Sequence, residues 1–377
     1  MLLLSIIIPT HERQRYAMGA IDALESLSKR DEVEVIVSDS SLRSGLKEYV
    51  SDKGLSDSEI KVLRPVGLVS NAVENFNYAI SHSEGNYILI IGDDDTVLPS
   101  VLPIVEYMQK ENVDVAKFSF PCEYFWDDCY EKDDHFNSTV RELECTGKIT
   151  PLNTIEVLED AMDNLGHGLG EMPRSYLGII SRGIYQRIVN KYGELFGGVS
   201  PDIYSSVLLC VESKNAIYVD RNIIVPGSCG PSTSGKSVNK KHVGKLRDNG
   251  HISAFKNLKW SPMIPEFYST HTVWAYSLEE ALRISKYGKG PNYWRLYIKC
   301  LYTYPEYSGK VFHSIFNSIK MNGVLRSSYS FGCALFNEFR WVVSRVYSRF
   351  FSSSGVSISK VESLKAVHAK YDSDNGS

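Results

Sequence analysis

Short apolar runs and longer amphipathic stretches alternate along the first 230 residues of the chain. Runs rich in β-branched residues predict strands, and apolar residues that recur every three or four positions predict helices. The predicted strands are 2–8, 33–39, 60–63, 87–91, 113–120 and 176–180, and the predicted helices are 43–50, 71–81, 100–110, 204–211 and one carrying Ala20, Ile21, Leu24 and Leu27 on one face. Strands that alternate with helices in this way form βαβ units, so the sequence predicts an α/β domain with a mostly parallel sheet.

The fourth predicted strand runs into Gly92 and then into Asp93, Asp94 and Asp95. Open α/β sheets bind ligands at the carboxyl ends of their strands. In an extended chain, side chains alternate, so Asp93 and Asp95 are expected on one side and Asp94 on the other. Carboxylates held this close repel each other unless a cation lies between them, and a hard divalent ion suits such a site. The alternative is a solvated turn before the helix that starts at Ser100.

Polar residues also follow the first two predicted strands, at Pro9-Thr10 and at Asp39. Right-handed crossovers bring these ends to the edge that carries Asp93, where a bound nucleotide could meet all of them. The sequence contains no G-x-G-x-x-G after the first strand and no G-x-x-x-x-G-K-[ST]. These absences disfavour a dinucleotide-binding fold and a P-loop kinase or ATPase.

Composition narrows the class of protein. A length of 377 residues suggests two or three domain-sized units. The net charge of -4 disfavours a general nucleic-acid binder. The 7 cysteines form no C-x-x-C pair, which indicates reduced cytosolic thiols and neither a disulfide framework nor a zinc site. The apolar N-terminal run has no basic flank and stops at Pro9, so it is interpreted as a buried strand and not as a leader or a membrane span.

Four segments resemble, in order and spacing, the motifs of the family 2 glycosyltransferases. They are Ser5–Thr10, Val35–Ser41, Asn77–Tyr87 and Gly92–Pro99. The resemblance covers residues 2–230 and implies the GT-A fold, a Rossmann-like nucleotide-sugar-binding domain with a D-x-D metal motif. This chain departs from the family pattern in the Asp-Ser-Ser end of the second strand and in a glycine where an aspartate is commoner. The D-x-D motif therefore falls on Asp93-Asp94-Asp95.

The same resemblance implies roles for individual residues. Asp93 and Asp95 are the expected ligands of Mn²⁺ or Mg²⁺. The expected nucleotide-sugar contacts are Pro9, Thr10, Glu12, Arg13, Asp39, Asn71, Asn77, Asp93 and Asp94. The family places its catalytic base at the start of a late helix, which corresponds here to Asp202. From the residues alone, the alternatives are that Asp202 is a first-turn aspartate favoured by the helix dipole and that Asp39 is a turn residue. Arg13 could equally be a solvated loop residue.

The segments beyond the predicted base are less specific. The Gly-rich loop 167–174 is expected near the acceptor pocket. The stretch 227–236, followed by Lys240, Lys241 and His242, is either a lid that closes over a diphosphate or a plain linker. From residue 252 onward aromatic and basic residues increase, and helices are predicted at 282–287, 293–302 and 311–319.

Residues 331–351 interleave Trp341 and apolar residues with Arg340, Arg345 and Arg349. Such a pattern suits a helix in a membrane interface, or a helical subdomain that packs on the catalytic core with its basic face solvated. Both interpretations stay open. The Ser-rich tail, 353–377, is predicted to be mobile.

Taken together, the sequence predicts a catalytic domain, a lid, a helical basic-aromatic region and a tail. Their bounds are 1–230 (nucleotide-sugar half 1–120, acceptor half 121–230), 231–251, 252–352 and 353–377. The predicted activity is metal-dependent, inverting transfer from a nucleotide-diphosphate sugar, UDP-linked, to a polyprenyl-diphosphate-linked glycan acceptor in bacterial O-antigen or capsule synthesis. The predicted location is cytoplasmic, peripheral on the inner membrane, without nucleic acid. The alternatives are a nucleotidyltransferase, disfavoured because Pro9–Arg13 lacks glycine, and a non-catalytic nucleotide-sugar-binding partner.

Overall fold

A central eight-stranded sheet organises the first 219 residues, in the order β3-β2-β1-β4-β10-β6-β11-β9. The structure, a computed structural model, describes residues 2–130, 134–230, 243–248, 252, 255, 258–351 and 356–374. The strands are β1 Leu4–Thr10, β2 Val33–Asp39, β3 Ile60–Leu63, β4 Tyr87–Ile90, β5 Thr96–Val97, β6 Val115–Phe118, β7 Cys122–Phe125, β8 Thr139–Leu143, β9 Ile149–Pro151, β10 Gly178–Ser181, β11 Ala216–Val219, β12 Ile224–Val225, β13 Gly227–Ser228 and β14 Val356–Lys360.

Helices connect and cover these strands, as the predicted βαβ pattern requires. They are α1 Gln14–Ser28, α2 Leu46–Asp52, α3 Ala72–Ser81, α4 Val101–Lys110, α5 Thr154–Asp163, α6 Arg182–Tyr192, α7 Pro201–Glu212, α8 Thr270–Ser285, α9 Tyr293–Thr303, α10 Ser308–Asn322, α11 Val324–Phe351 and α12 Leu364–Asp374. β1, β2, β3 and β4 are mutually parallel, and β6 is parallel to β11. β10 runs antiparallel between β4 and β6, and β9 antiparallel beside β11. The α/β fold with a mostly parallel sheet is confirmed.

Both faces of the sheet are buried, which explains why its strands are apolar almost throughout. On β1, Ile6 and Ile8 pack with the apolar side of α1, including Ala20 and Leu24. Ile7 points to the opposite face, into a cluster formed with residues of α3, α6 and α7. This alternation is the period-2 geometry of a strand that is covered by helices on both sides.

The first strand extends further than its sequence predicts. β1 includes Pro9 and Thr10, although proline was expected to end it. The ladder to β4 covers only Leu4–Ile7, whereas the ladder to β2 continues to Thr10. Pro9 therefore lies where the strand is paired on one side only, and its missing N–H can be accommodated there.

The tail does not have the predicted mobile character over its described part. β14 pairs antiparallel with β8, and α12 packs along α1. Leu364 and Val367 of α12 are buried in one cluster with Tyr16 and Trp126. Two ion pairs, Lys365 with Glu25 and Lys370 with Glu142, fix the tail further. A Ser-rich composition predicts flexibility, but these few apolar residues bury enough surface to order the segment.

The helical region shares a core with α5 and α7. Leu158 of α5 and Val207 of α7 belong to the same buried cluster as Leu282 of α8 and Tyr297 of α9. This packing favours the helical-subdomain interpretation for α8 to α10. In the described residues no helix is both long and apolar enough to cross a bilayer.

Candidate active site

The three acids after β4 lie on a turn, not on a continuation of the strand. The strand ends at Ile90, and the N–H of Asp95 donates to the carbonyl of Gly92 at 3.3 Å. The prediction that Asp93 and Asp95 face one side and Asp94 the other is therefore wrong, because alternation holds only for extended backbone. The turn brings the carboxylates of Asp93 and Asp94 together instead.

One guanidinium joins those two carboxylates. Arg13 Nη2 lies 2.9 Å from Asp93 Oδ1 and 2.9 Å from Asp94 Oδ2. Thr10 at the end of β1 donates its hydroxyl to Asp93 Oδ2 at 2.6 Å. Burial lowers the pKa of Arg13, but the charges of Asp94 and Asp93 outweigh burial and raise it. Two sequence-predicted positions from the first strand and loop, Thr10 and Arg13, thus meet the acidic turn directly.

Asp95 is turned inward and has a different set of partners. Its Oδ2 accepts from the Gly92 N–H at 2.7 Å and from the Tyr176 hydroxyl at 3.1 Å, and its Oδ1 accepts from the Gly227 N–H at 2.8 Å. The residue is 2% exposed. These three donors position the carboxylate and hold the turn against β10 and β13.

The segment around β13 covers the other side of the turn. The thiol of Cys229 lies 3.1 Å from Asp94 Oδ2, and the indole N–H of Trp126 donates to the Asp94 carbonyl at 3.0 Å. A Cβ added to Gly227 would lie 1.8 Å from that same carbonyl. Only glycine allows the backbone of β13 to approach the turn this closely.

The charge balance of this cluster suits an additional cation. When all three carboxylates are ionised, they and the Arg13 guanidinium carry an excess of two negative charges. Burial raises the pKa of Asp93 to about 7 despite the opposing effect of Arg13, and burial with the charge of Asp94 raises that of Asp95. No group of three or more His, Cys, Asp or Glu in the described ranges could hold a metal ion by itself. A Mg²⁺-like ion, however, needs only one or two protein carboxylates when ligand phosphates and waters complete its shell, so these residues fit one.

The end of β2 forms the second part of the edge. Asp39 is fully buried and accepts from Arg64 Nη1 at 2.7 Å and from the Ser41 N–H at 2.9 Å. Glu12 accepts from the Leu42 N–H at 3.0 Å and has a φ of 54°, a left-handed conformation that a non-glycine residue adopts at some cost. The loops after β1 and β2 are thereby tied into one wall.

Two of the predicted asparagines have other partners. Asn71 caps α3, where its side chain accepts from the Glu74 N–H. Asn77 donates to Glu194 and to the Phe196 carbonyl and accepts from the Phe196 N–H. Neither amide contacts the acidic turn. The buried Asn75 reaches the edge instead, donating to the carbonyls of Ser38 and Thr10 at 3.2 and 3.4 Å.

Asp202 lies in the first turn of α7 and is connected to the acidic turn through one short segment. Its Oδ1 accepts from the Ser200 hydroxyl at 2.5 Å. Burial lowers the pKa of Arg174, and the nearby charge of Asp202 opposes that effect. Two residues later in the same segment, Tyr176 bonds Asp95. The segment 174–176 therefore lies between the two carboxylates.

The sequence reasoning did not single out Arg64, Trp126 or Tyr176 as site residues. Arg64 follows a predicted strand end, whereas Trp126 and Tyr176 come from segments that tertiary packing brings to the turn. Arg174, Gly227 and Cys229 lie in the stretches 167–174 and 227–236 that the sequence placed near the site, but their individual contacts depend on the tertiary structure. The predicted lid residues 231–242, with His242, lie outside the described residues.

The fold and the acid-lined sheet edge define a class: an α/β domain whose mostly parallel sheet carries a cluster of acids at the carboxyl ends of its strands. Residues 5–157 match the family model described as "Glycosyl transferase family 2".

Comparison with known proteins gives further similarities. Over 109 residues the chain is 29% identical to a GalNAc(5)-diNAcBac-PP-undecaprenol beta-1,3-glucosyltransferase of Campylobacter jejuni, covering 29% of this chain and 34% of that relative. The match thus spans about a third of the relative's length. Among solved structures, TarS 1–349 of S. aureus in complex with UDP-GlcNAc is 14% identical, with a TM-score of 0.43 and coverage of 99% and 92%. The mannosyltransferase PcManGT of Pyrobaculum calidifontis, with GDP-Man and Mn²⁺, is 14% identical, with a TM-score of 0.42 and coverage of 98% and 86%.

Proposed function

We propose that this protein transfers a hexosyl group, with inversion, from a nucleotide-diphosphate sugar, UDP-linked, to a lipid-linked glycan acceptor in bacterial surface-polysaccharide synthesis. The observation that supports the donor half of this proposal most directly is the acidic turn. Its net excess of two negative charges lies at the carboxyl edge of the sheet, where α/β folds bind nucleotides. A donor diphosphate bound with a divalent cation would complete this arrangement.

The residues of the edge divide into two groups in this proposal. Asp39, Glu12 and the Pro9-Thr10 end of β1 would contact the nucleoside, because they form the wall beside the turn. Asp93 and Asp94 would hold Mn²⁺ or Mg²⁺. Asp94 replaces the expected ligand Asp95 in this proposal, because the Asp95 carboxylate already accepts three hydrogen bonds and supports the turn from behind. The metal, when bound, would neutralise charge on the leaving diphosphate as a Lewis acid.

The chain's own side chains carry the other chemical tasks. Arg13 could move from the carboxylates to the diphosphate, since an arginine suits both anions. Asp202 would accept the proton of the acceptor hydroxyl as that oxygen attacks the anomeric carbon. The Ser200 hydroxyl orients Asp202, and buried Arg174 lies close enough for its charge to stabilise the carboxylate.

The acceptor part of the proposal is supported by the relative from Campylobacter jejuni, whose name describes an undecaprenol-linked glycan acceptor. Such an acceptor would be presented at a membrane surface. In the described residues, α10 and α11 carry 14 of the 24 exposed large apolar side chains, among them Leu325, Phe336 and Phe339. We therefore propose a cytoplasmic enzyme that docks peripherally on the inner leaflet through this face.

Charge supports the same surface. Residues 308–347 include Lys310, Lys320, Arg326, Arg340 and Arg345. The one acidic residue in this range, Glu338, is buried against Arg295 and His167. Basic residues beside an exposed apolar face attract anionic lipid headgroups.

Point substitutions test the docking better than truncation, because removing residues after 331 would also remove β14 and α12. The double change Phe336→Ser and Phe339→Ser should lower co-sedimentation with anionic vesicles. Phe136→Ser, at a residue 40% exposed elsewhere on the surface, is the matched control. Equal co-sedimentation of all three proteins would argue against this face.

The activity is tested by screening nucleotide sugars for slow hydrolysis with Mn²⁺ or Mg²⁺. We expect one UDP-sugar to release UDP, and chelation to abolish the release. Pyrophosphate release from a nucleoside triphosphate and a sugar phosphate would instead identify a nucleotidyltransferase. Donor binding without turnover, even with lipid-linked acceptors present, would identify a non-catalytic binding partner.

A further inference from the structure

A small apolar slot opens within the exposed face at the corner between α10 and α11. Its volume is about 190 Å³, and its walls are Trp294 of α9, Ile319 of α10, and Val324, Ser327, Ser328 and Phe331 of α11. We call this cavity the corner slot. The rings of Trp294 and Phe331 pack edge to face, with 5.3 Å between their centroids, and form the rigid side of the slot. An apolar cavity of about 150 Å³ stays dry and accepts a hydrocarbon, so a space of this size and lining favours an apolar occupant.

A buried hydroxyl gives a second, independent indication of an occupant. Ser327 lines the slot, is 3% exposed, and its Oγ has no hydrogen-bond partner among the described residues. A buried hydroxyl without a partner costs free energy. A lipid chain that carries an ester group at its head end could supply the missing acceptor.

The mouth of the slot combines apolar exposure with positive charge. Met321 and Leu325, on either side of the corner, are 68% and 90% exposed. Lys320 and Arg326 lie beside them in the chain, and residues 308–337 contain no aspartate or glutamate. A chain entering here would therefore come from a molecule with an anionic head.

We propose that the corner slot binds one hydrocarbon chain of an anionic bilayer lipid. The inference rests on the proposed membrane docking of α10 and α11 and specifies its partner. Lys320 and Arg326 would meet the headgroup, while the chain would lie in the slot against the joined rings of Trp294 and Phe331. Binding of one chain at this corner would fix the depth and rotation of α11 in the interface.

Tryptophan fluorescence tests the proposal on the full chain. Phosphatidylglycerol vesicles with brominated acyl chains quench a tryptophan that contacts those chains. The fluorescence quenching measured for Trp294→Phe is subtracted from that of the unmodified protein. The difference is the quenching of Trp294 itself. Ser327→Leu should fill the slot and abolish this quenching, while co-sedimentation with the vesicles stays unchanged. Ser330→Leu, the same change three residues further along α11 and outside the slot, is the matched control and should keep it.

Each outcome bears on the proposal. No quenching of Trp294 in protein that sediments with the vesicles would overturn it, as would undiminished quenching in Ser327→Leu. If that variant does not fold, Ser328→Leu at the exposed wall replaces it with the same expectation. If brominated zwitterionic vesicles quench Trp294 as strongly as the phosphatidylglycerol vesicles do, the requirement for an anionic headgroup is contradicted. Quenching seen only when brominated polyprenyl phosphate is added would reassign the slot to the acceptor lipid.

Donor hydrolysis measured on the same variants separates this inference from the proposed activity. Ser327→Leu should hydrolyse donor at the unmodified rate. If the unmodified protein hydrolyses no donor but its Trp294 is quenched, only the transferase proposal is contradicted. Hydrolysis without sedimentation would overturn the membrane docking and the corner slot together, and would leave the chemistry at the acidic turn standing.

Discussion

The hydroxyl of Tyr176 donates a hydrogen bond to Asp95 Oδ2 at 3.1 Å, across 81 residues of sequence. Tyr176 precedes β10, the antiparallel strand that separates β4 from β6. Burial and the charges of Asp95, Asp94 and Asp93 raise the pKa of this phenol, so it remains a donor at any working pH. The bond connects the donor half of the site with the segment that leads to Asp202.

Removing that hydroxyl should loosen the acidic turn. In Tyr176→Phe, Asp95 keeps only its two backbone donors, and a hydrogen bond to a charged group contributes about 1.5–3 kcal/mol. We expect kcat/KM for the donor to fall on the order of tenfold, with a small change in Tm. Steady-state kinetics and thermal unfolding check this; the surface change Tyr329→Phe is the control. Unchanged kinetics would show that Gly92 and Gly227 suffice to hold Asp95.

Asp202→Asn should separate chemistry from binding. The amide keeps the size and the neighbours of the carboxylate but cannot accept a proton, so transfer should fall by about 10²–10⁴-fold. Donor affinity, measured by calorimetry, should stay the same. Transfer at the unmodified rate would remove Asp202 as the base and leave it as a first-turn residue favoured by the helix dipole.

Gly227→Ala should disturb the acidic turn from outside. The new Cβ would lie 1.8 Å from the Asp94 carbonyl, so β13 must move away, and the Gly227 bond to Asp95 must lengthen. Overpacking of this kind costs about 1–3 kcal/mol. We expect a lower Tm and weaker donor binding. In the control Gly309→Ala, nothing lies within 4 Å of the added carbon, so Tm and donor affinity should be unchanged. If Gly227→Ala has the same Tm and donor affinity as this control, the close packing at Gly227 is contradicted.

His167 should make the protein sensitive to acid. Burial and the charge of Arg295 lower its pKa to about 4, and Lys299 and His271 act in the same direction while the charge of Glu338 opposes them. Between about pH 6.5, the ordinary value, and pH 4 the unfolded chain binds a proton that the folded protein does not. Stability from this group is therefore complete above that window and decreases as pH falls through it.

The measurement is the Tm of two variants across that pH range. His167→Gln should show a smaller decrease in Tm from pH 6.5 to 4 than the unmodified protein. His313→Gln, at an exposed histidine, should follow the unmodified curve. Parallel curves for all three proteins would exclude His167 as the source of the acid sensitivity.

Leu364→Ala should show that the tail stabilises the catalytic domain. Leu364 is 1% exposed, and a buried leucine replaced by alanine costs about 2–5 kcal/mol. His368 of the same helix lies 2.9 Å from the Thr96 hydroxyl, next to Asp95, so donor binding should weaken as well. Chemical denaturation measures the first effect. Val356→Ala, at a residue 49% exposed, should change little; equal stability of both variants would mean that the tail packs without stabilising.

Several elements could be predicted because local pattern and final environment agree. β2 and β3 have the predicted bounds, and Ala20, Ile21, Leu24 and Leu27 are buried as their spacing indicates. The prediction ended β1 before Pro9, but the strand continues to Thr10. Its pairing with β2 alone at this end could not be known from the sequence. In α3, Val73 and Ile80 define the buried side of the helix, and Ala72 is exposed.

The acidic site was only partly predictable. Thr10, Arg13, Asp93 and Asp94 meet as the strand ends suggested. The pairing of Asp93 and Asp94 with one guanidinium depends on the turn, which is closed by the hydrogen bond from the Asp95 N–H to the Gly92 carbonyl. A pattern of residue types does not distinguish a turn from the last residues of a strand.

By itself, the sequence determined the βαβ order, the acids at the end of the fourth strand and the resemblance to the family 2 glycosyltransferases, because strand and helix periods are local properties and the motifs are contiguous. Tertiary structure alone decided that Tyr176, Gly227 and Cys229 surround those acids, that the tail packs on α1, and that α10 and α11 leave an apolar face uncovered. The physical reason is that these contacts join residues far apart in the chain. Their formation depends on shape and burial in the assembled fold, which no short stretch of sequence specifies.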